Sequence, residues 1–236
     1  MRNYLVQTKT LSFSVVAIAP LIFLYEYYIA QVNANQLLEV RNAAEIFIKH
    51  LLSYAGISSP PAYTLLYCSL LLAAFVYARK QNIDYPKISY WFGFLIECSL
   101  YAVVFGIVAR TITDLLLALQ ITADMEASMW SQYLLALAAG IYEELLFRLF
   151  VVGSLLLLFR SLLPTHNALQ IVLASFISAT IFSLFHYPTI DTIELNSFLF
   201  RFVAGFILSL LFVFRGLAVT VYTHAFYDVF FIYRAM

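Results

Sequence analysis

Residues 133–159 read YLLALAAGIYEELLFRLFVVGSLLLLF. The stretch is almost wholly apolar on both sides of Glu143–Arg148, and residues 149–159 carry no charge. A run of about 20 mostly apolar residues is long enough to cross a bilayer as a helix. Two carboxylates and a guanidinium therefore lie within a predicted membrane span. Because a charge is costly in hydrocarbon, such a cluster predicts a functional site.

The remainder of the chain is just as apolar. Its 236 residues are 64% hydrophobic and 11% charged, whereas soluble domains have about 45–50% and 25%. The apolar runs are continuous, which argues against a transmembrane β-barrel. We therefore predict an all-α fold, a polytopic transmembrane helical bundle that forms a single domain over residues 1–236. About seven spans are expected, at 11–31, 61–79, 90–110, 128–160, 167–187, 197–214 and 217–233.

Two other segments have their own patterns. Residues 36–52 interleave apolar and charged side chains, which predicts a helix along the membrane interface or a surface helix packed on the bundle. Residues 114–121 are predicted to be a short re-entrant or interfacial piece. Cys68 and Cys98 lie in apolar segments and are predicted to be buried without forming a disulfide.

The loop charges predict an orientation. Basic residues occupy alternate loops, and acidic residues occupy the opposite ones: Arg2, Lys9, Arg79, Lys80, Lys87, Arg160 and Arg215 against Asp124, Glu126, Asp191 and Glu194. By the positive-inside rule the N-terminus is cytoplasmic, at the end of an uncleaved first span. We expect an integral protein of a bacterial plasma membrane. The net charge of zero gives no reason to expect a nucleic-acid partner.

Helix geometry predicts how the central cluster is arranged. Glu144 and Arg148 are four residues apart, so they share a helix face and can form an ion pair. Glu143 is turned about 100° away from Glu144, which leaves it free to face a cavity. An unpaired carboxylate there is a candidate general base. The alternative is that Glu144–Arg148 is a purely structural ion pair.

Two later spans add histidines. His224 and Asp228 share a helix face, so Asp228 is predicted to orient His224, and Phe182 is predicted to pack on His186 in the same way. We expect Glu143, His186 and His224 to converge on one water. The alternative is that each histidine only bonds a neighbouring backbone carbonyl or hydroxyl. No role is assigned to the isolated acids Glu26 and Glu97, and Arg201 is expected to extend to the headgroups.

The three motifs resemble those of a known family. Glu143-Glu144-x-x-x-Arg148, Phe182-x-x-x-His186 and His224-x-x-x-Asp228 are similar, in order and spacing, to the motifs of the CPBP family. These CAAX-protease and bacteriocin-processing endopeptidases, also called the Abi family, include the Rce1-type CAAX protease as one branch. The resemblance covers residues 128–233 and implies an intramembrane endopeptidase.

The resemblance also implies roles. Glu143 would activate the hydrolytic water with His186, and His224 with Asp228 would stabilise the oxyanion. Many relatives have asparagine at the position of Asp228, so an aspartate there is expected to orient His224 instead. No cofactor is expected; zinc held by Glu143, His186 and His224 is the alternative, although the chain has no His-Glu-x-x-His helix.

The expected substrate is a membrane-anchored protein or a peptide precursor, and the bilayer is the other partner. The oligomeric state stays open. Two other functions are compatible with the sequence. An acid with histidines can relay protons in a transporter, and a non-catalytic family member can act as a scaffold or immunity protein.

Overall fold

The computed structural model describes residues 2–34, 41–80, 88–117, 129–187 and 193–235. Within these ranges the chain is helical and has no strand, which confirms the all-α prediction. In chain order the α-helices are α1 (Arg2–Thr8), α2 (Leu11–Asn33), α3 (Ala43–Tyr54), α4 (Pro60–Lys80), α5 (Ile88–Leu117), α6 (Met129–Ala138), α7 (Gly153–Leu162), α8 (Asn167–Leu184), α9 (Leu195–Arg215) and α10 (Leu217–Ala235). A π-helical segment, Ala139–Val152, joins α6 to α7.

The protein is a polytopic membrane bundle. Among the described residues, six stretches are long and apolar enough to cross a bilayer: Leu11–Asn33, Pro60–Lys80, Ile88–Thr113, Trp130–Leu162, Asn167–Leu184 and Leu195–Arg215. The seventh predicted span, 217–233, falls on α10, which is not among the six and whose side chains are described only as far as Phe230.

The fourth span is one continuous helix with π-helical geometry at its centre. In a π-helix each N–H bonds the carbonyl five residues earlier, and π-helical turns are frequent at functional sites. Gly140 lets this segment lie directly against α10, because a Cβ at Gly140 would lie 2.6 Å from the Cβ of Ala225. The close approach brings the acids of the π-helical segment beside the histidine of α10.

Gly216 makes the turn that returns α10 into the bundle. Its φ of +86° is a left-handed conformation that suits glycine. A Cβ there would also lie 2.8 Å from the carbonyl oxygen of Lys9. The turn is therefore tight enough for α10 to pack on α5 and on the π-helical segment.

Helix α3 agrees with the second prediction for residues 36–52, a surface helix packed on the bundle; residues 36–40 lie outside the described residues. It packs on the π-helical segment, and Glu45 on its inner face is fully buried. Its apolar side chains Ile46, Phe47 and Leu51 are exposed on the outer face. Charges inside and apolar groups outside are the arrangement that suits a helix surrounded by lipid.

Two smaller predictions also change. Residues 114–117 continue α5, so they do not form a separate re-entrant piece, and residues 118–121 lie outside the described part of the chain. Cys98 is buried as predicted, but Cys68 is exposed because α4 packs mainly on α2. Both cysteines are free, so the prediction of no disulfide is confirmed.

Candidate active site

A cavity of about 440 Å³ lies between the π-helical segment, α9, α10 and the N-terminal end of α3. The three side chains that were predicted to converge, Glu143, His186 and His224, all line it. Three separate parts of the bundle supply these side chains. The other polar or charged residues of its wall are Arg41, Asn42, Gln132, Arg201, Tyr227 and Asp228.

Glu143 is the carboxylate that faces the cavity. Its Oε1 accepts a hydrogen bond from Nδ2 of Asn42 at 2.9 Å. The same oxygen lies 3.9 Å from Nε2 of His186. With an exposed fraction of 7%, Glu143 is largely shielded but open to the cavity. As predicted, Glu143 faces the cavity while the adjacent Glu144 is directed to other partners.

His186 is oriented by a backbone carbonyl. It lies in the turn after α8, and its Nδ1 is 2.9 Å from the carbonyl oxygen of Phe182. A carbonyl only accepts, so Nδ1 carries the hydrogen and Nε2 of the neutral ring is an acceptor. Burial lowers the pKa of His186, against the opposing effect of Glu143, which favours that neutral ring. The predicted contact with Phe182 is confirmed as an edge-on packing, with centroids 4.9 Å apart.

Glu144 and Arg148 form the predicted ion pair, and both are fully buried. Nε of Arg148 lies 3.0 Å from Oε2 of Glu144, but at an angle outside hydrogen-bond geometry. Nη2 donates a long hydrogen bond of 3.4 Å to the carbonyl of Gly205. The guanidinium also lies over the ring of Phe182, 4.7 Å from its centroid. Within the described residues, Nη1 has no hydrogen-bond partner.

His224 lies between two carboxylates. Its Nδ1 is 2.7 Å from Oε1 of Glu144, and its Nε2 is 3.5 Å from Oδ2 of Asp228. The prediction that Asp228 orients the ring is therefore corrected, because Glu144 is the closer partner and Asp228 is beyond the usual hydrogen-bond length. The approach of the two helices at Gly140 explains how residues 80 positions apart meet. Arg148, Glu144 and His224 form one chain of contacts.

Two acids outside the cavity have partners that the sequence analysis did not predict. Glu26 accepts hydrogen bonds from Lys49 at 2.7 Å and from the hydroxyl of Tyr142 at 2.6 Å. Glu97 pairs with Arg215 at 2.6 Å. The sequence feature that indicates such a contact is an acid that interrupts an apolar helix, because an acid in a membrane needs a cation or a hydrogen-bond donor beside it.

Arg201 also differs from its predicted role. It lies on the cavity wall and donates to Ser197 and to the hydroxyl of Tyr187, whereas the sequence predicted an extension to the headgroups. Asn42 was not predicted as a cavity residue either, because it is 101 positions from the glutamate that it contacts.

The alternative zinc site can be compared with this geometry. Among the described residues, no group of three His, Cys, Asp or Glu side chains is arranged to hold a metal ion. His224 directs Nδ1 to Glu144, and His186 directs Nδ1 to a backbone carbonyl. Contacts of this kind through Nδ1 also occur at zinc-binding histidines, so the zinc alternative stays a prediction.

Residues 125–230 match the family model described as Type II CAAX prenyl endopeptidase Rce1-like. Over these residues the chain is similar to the Rce1-like family. The matched range agrees closely with the predicted core, 128–233, and contains all six candidate site residues: Glu143, Glu144, Arg148, His186, His224 and Asp228. It covers a little under half of the chain and leaves out α1 to α5. No curated protein and no solved structure matches the chain.

Proposed function

We propose that the protein is an intramembrane endopeptidase in which Glu143 activates water to hydrolyse a peptide bond. The observation that carries the proposal is the pair of acceptors on the cavity wall, Oε1 of Glu143 and Nε2 of His186, 3.9 Å apart. The Rce1-like family, one of membrane proteases, supports a membrane-associated substrate. The match to this family gives no support to the alternative function, a proton-coupled transporter.

The first step follows from the two acceptors. A water between them donates one hydrogen to Glu143 and the other to His186, so an oxygen lone pair is left for the substrate. Glu143 takes the first proton as the hydroxide attacks the carbonyl carbon of the peptide bond. General-base catalysis of this kind contributes about 10²–10⁴-fold to a rate.

The second step concerns the tetrahedral intermediate. His224 has Nδ1 directed to Glu144, and its Nε2 lies 3.5 Å from Asp228, too far for a good hydrogen bond. Because Nδ1 donates its hydrogen to the Glu144 carboxylate, Nε2 carries a hydrogen only in the doubly protonated ring, and in that form it would donate to the oxyanion. Glu143 returns its proton to the amide nitrogen, the C–N bond breaks, and a carboxylic acid and an amine leave. The buried Arg148 balances the charge of Glu144.

The substrate we propose is a membrane-anchored protein or a peptide precursor that enters the cavity from the bilayer. Asn42, which follows α2, and His186, which follows α8, both line the cavity, so they lie at the same end of the bundle. With a cytoplasmic N-terminus in a bacterial plasma membrane, the cavity opens outwards.

The experiment compares cells that produce the wild-type protein with cells that produce Glu143→Gln. Mass spectrometry of membrane peptides identifies the cleavage product, and the corresponding peptide is then assayed with purified protein. The substitution keeps shape and removes basicity, so we expect about a 10²–10⁴-fold loss of kcat with the fold retained. The matched control is Glu194→Gln, because this exposed glutamate lies outside the cavity. Wild-type turnover by Glu143→Gln would refute the proposal and favour the scaffold alternative.

A further inference from the structure

Asn42 connects the N-terminal half of the chain to the proposed base. It precedes α3, and its Oδ1 accepts a hydrogen bond from the backbone N–H of Ala44 at 2.8 Å, so it is the N-cap of that helix. Its Nδ2 donates to Oε1 of Glu143 at 2.9 Å. The side chain of Asn42 therefore caps α3 and at the same time holds the carboxylate of Glu143 in the π-helical segment.

The capping bond decides which way the amide of Asn42 points. A backbone N–H needs an acceptor, so the capping atom is the oxygen and the atom that faces Glu143 is the nitrogen. The amide nitrogen donates and has no proton-accepting role, so it does not compete with Glu143 for the proton of the water. Asn42 thus holds the carboxylate of Glu143 in place.

Buried ion pairs fix the position of α3. Glu45 is fully buried and pairs with Arg41 and with Lys49. Lys49 also pairs with Glu26 of α2 at 2.7 Å. Glu26 accepts the hydroxyl hydrogen of Tyr142, the residue directly before Glu143. Helix α3 is therefore joined to the same turn that carries the base, which holds the Asn42 amide in a defined place.

We infer that Asn42 is a positioning residue of the peptidase, supplied by a part of the chain outside the range that matches the Rce1-like family. The inference rests on the proposed role of Glu143 as the base. The substrate would approach the opposite side of the carboxylate, where the amide donor is absent. Helix α3 then completes the active site, beyond its contribution to packing.

The test separates the effect of losing the amide donor from the effect of losing the helix cap. Asn42→Ser and Asn42→Asp both keep a capping oxygen and lose the amide donor. Thr10→Ala is the matched control for capping, because Thr10 caps α2 through a hydrogen bond from the N–H of Phe13 at 3.1 Å, away from the cavity. Each variant is assayed for kcat and KM on the peptide identified with the wild-type protein, and for thermal stability.

For Asn42→Ser we expect a loss of kcat of about ten- to a hundredfold with KM little changed, the range expected for one hydrogen bond to a charged group. Asn42→Asp should lose more, since it places a second carboxylate beside Glu143 where the donor had been. Thr10→Ala should lower stability and leave kcat unchanged.

Two results would overturn the inference. One is a wild-type kcat in both Asn42 variants. The other is a loss of kcat that accompanies the loss of thermal stability equally in the Asn42 variants and in Thr10→Ala, which would mean that Asn42 acts only through the fold. Glu143→Gln, assayed in the same preparation, separates this failure from that of the proposed function. If that variant is active, the base itself is wrongly assigned.

Discussion

Substituting Glu144 tests the charge balance of the buried chain Arg148–Glu144–His224. In Glu144→Gln the guanidinium of Arg148 loses the carboxylate whose Oε2 lies 3.0 Å from its Nε. What remains is a 3.4 Å bond to the Gly205 carbonyl and the ring of Phe182 at 4.7 Å. Removing one partner of a buried ion pair costs about 3–5 kcal/mol, because the other charge is left uncompensated.

The reverse substitution should be milder. In Arg148→Met the carboxylate of Glu144 keeps its contact with Nδ1 of His224 at 2.7 Å. The double variant Glu144→Gln/Arg148→Met buries no unpaired guanidinium, so it should recover most of the stability that Glu144→Gln loses. The expected order of stability therefore places Glu144→Gln lowest of the three.

The assay is thermal unfolding in detergent, followed with a thiol dye that reacts with the buried Cys98 in a background that lacks the exposed Cys68. At about 2–4 °C per kcal/mol for a chain of this size, Glu144→Gln should lower Tm by roughly 6–20 °C. The exposed Glu194→Gln serves as the control. A Tm for Glu144→Gln at or above that of Arg148→Met would refute the reasoning.

The remaining predictions concern packing, metal and topology. Gly140→Ala should lower Tm strongly, because its Cβ would lie 2.6 Å from that of Ala225. The control Gly153→Ala should be tolerated, since the atom nearest to its Cβ would be 3.9 Å away. Equal changes of Tm in the two variants would contradict this packing. Extended chelation should leave hydrolysis intact and elemental analysis should find no stoichiometric zinc; loss of activity restored by one metal would reverse that expectation. A single cysteine in place of Glu194 should react with an impermeant thiol reagent on intact cells, and one in place of Thr165 should not; the opposite pattern would place the cavity on the cytoplasmic side.

Local spacing predicted the core of the site because the partners lie within one helix. Glu144 and Arg148 are an i, i+4 pair, and the cost of burying their charges in hydrocarbon marked the segment as functional. The contact between Glu144 and His224 was not predicted, since these residues are 80 positions apart. It depends on the approach of two helices at Gly140, which spacing within either helix does not reveal.

Helix α3 illustrates a second limit. The interleaved charges and apolar groups of residues 36–52 predicted an amphipathic helix, and α3 is one over Ala43–Tyr54. Periodicity identifies the two faces of a helix but not which of them faces lipid. Here the charged face is turned inwards, with Glu45 buried and Ile46 exposed, so the helix reaches the site that Asn42 completes.

The acids outside the cavity give the reason for this arrangement. Between apolar helices in lipid the hydrophobic effect supplies no driving force, so packing and polar contacts must select the partners. Glu26 meets Lys49 across 23 positions, and Glu97 meets Arg215 across 118 positions. Each pair joins segments that are separate in sequence, and each acid would be costly to bury without its cation. The pairs therefore favour one assembly of the bundle over others, and the assembly that they favour is the one that places α3 against Glu143.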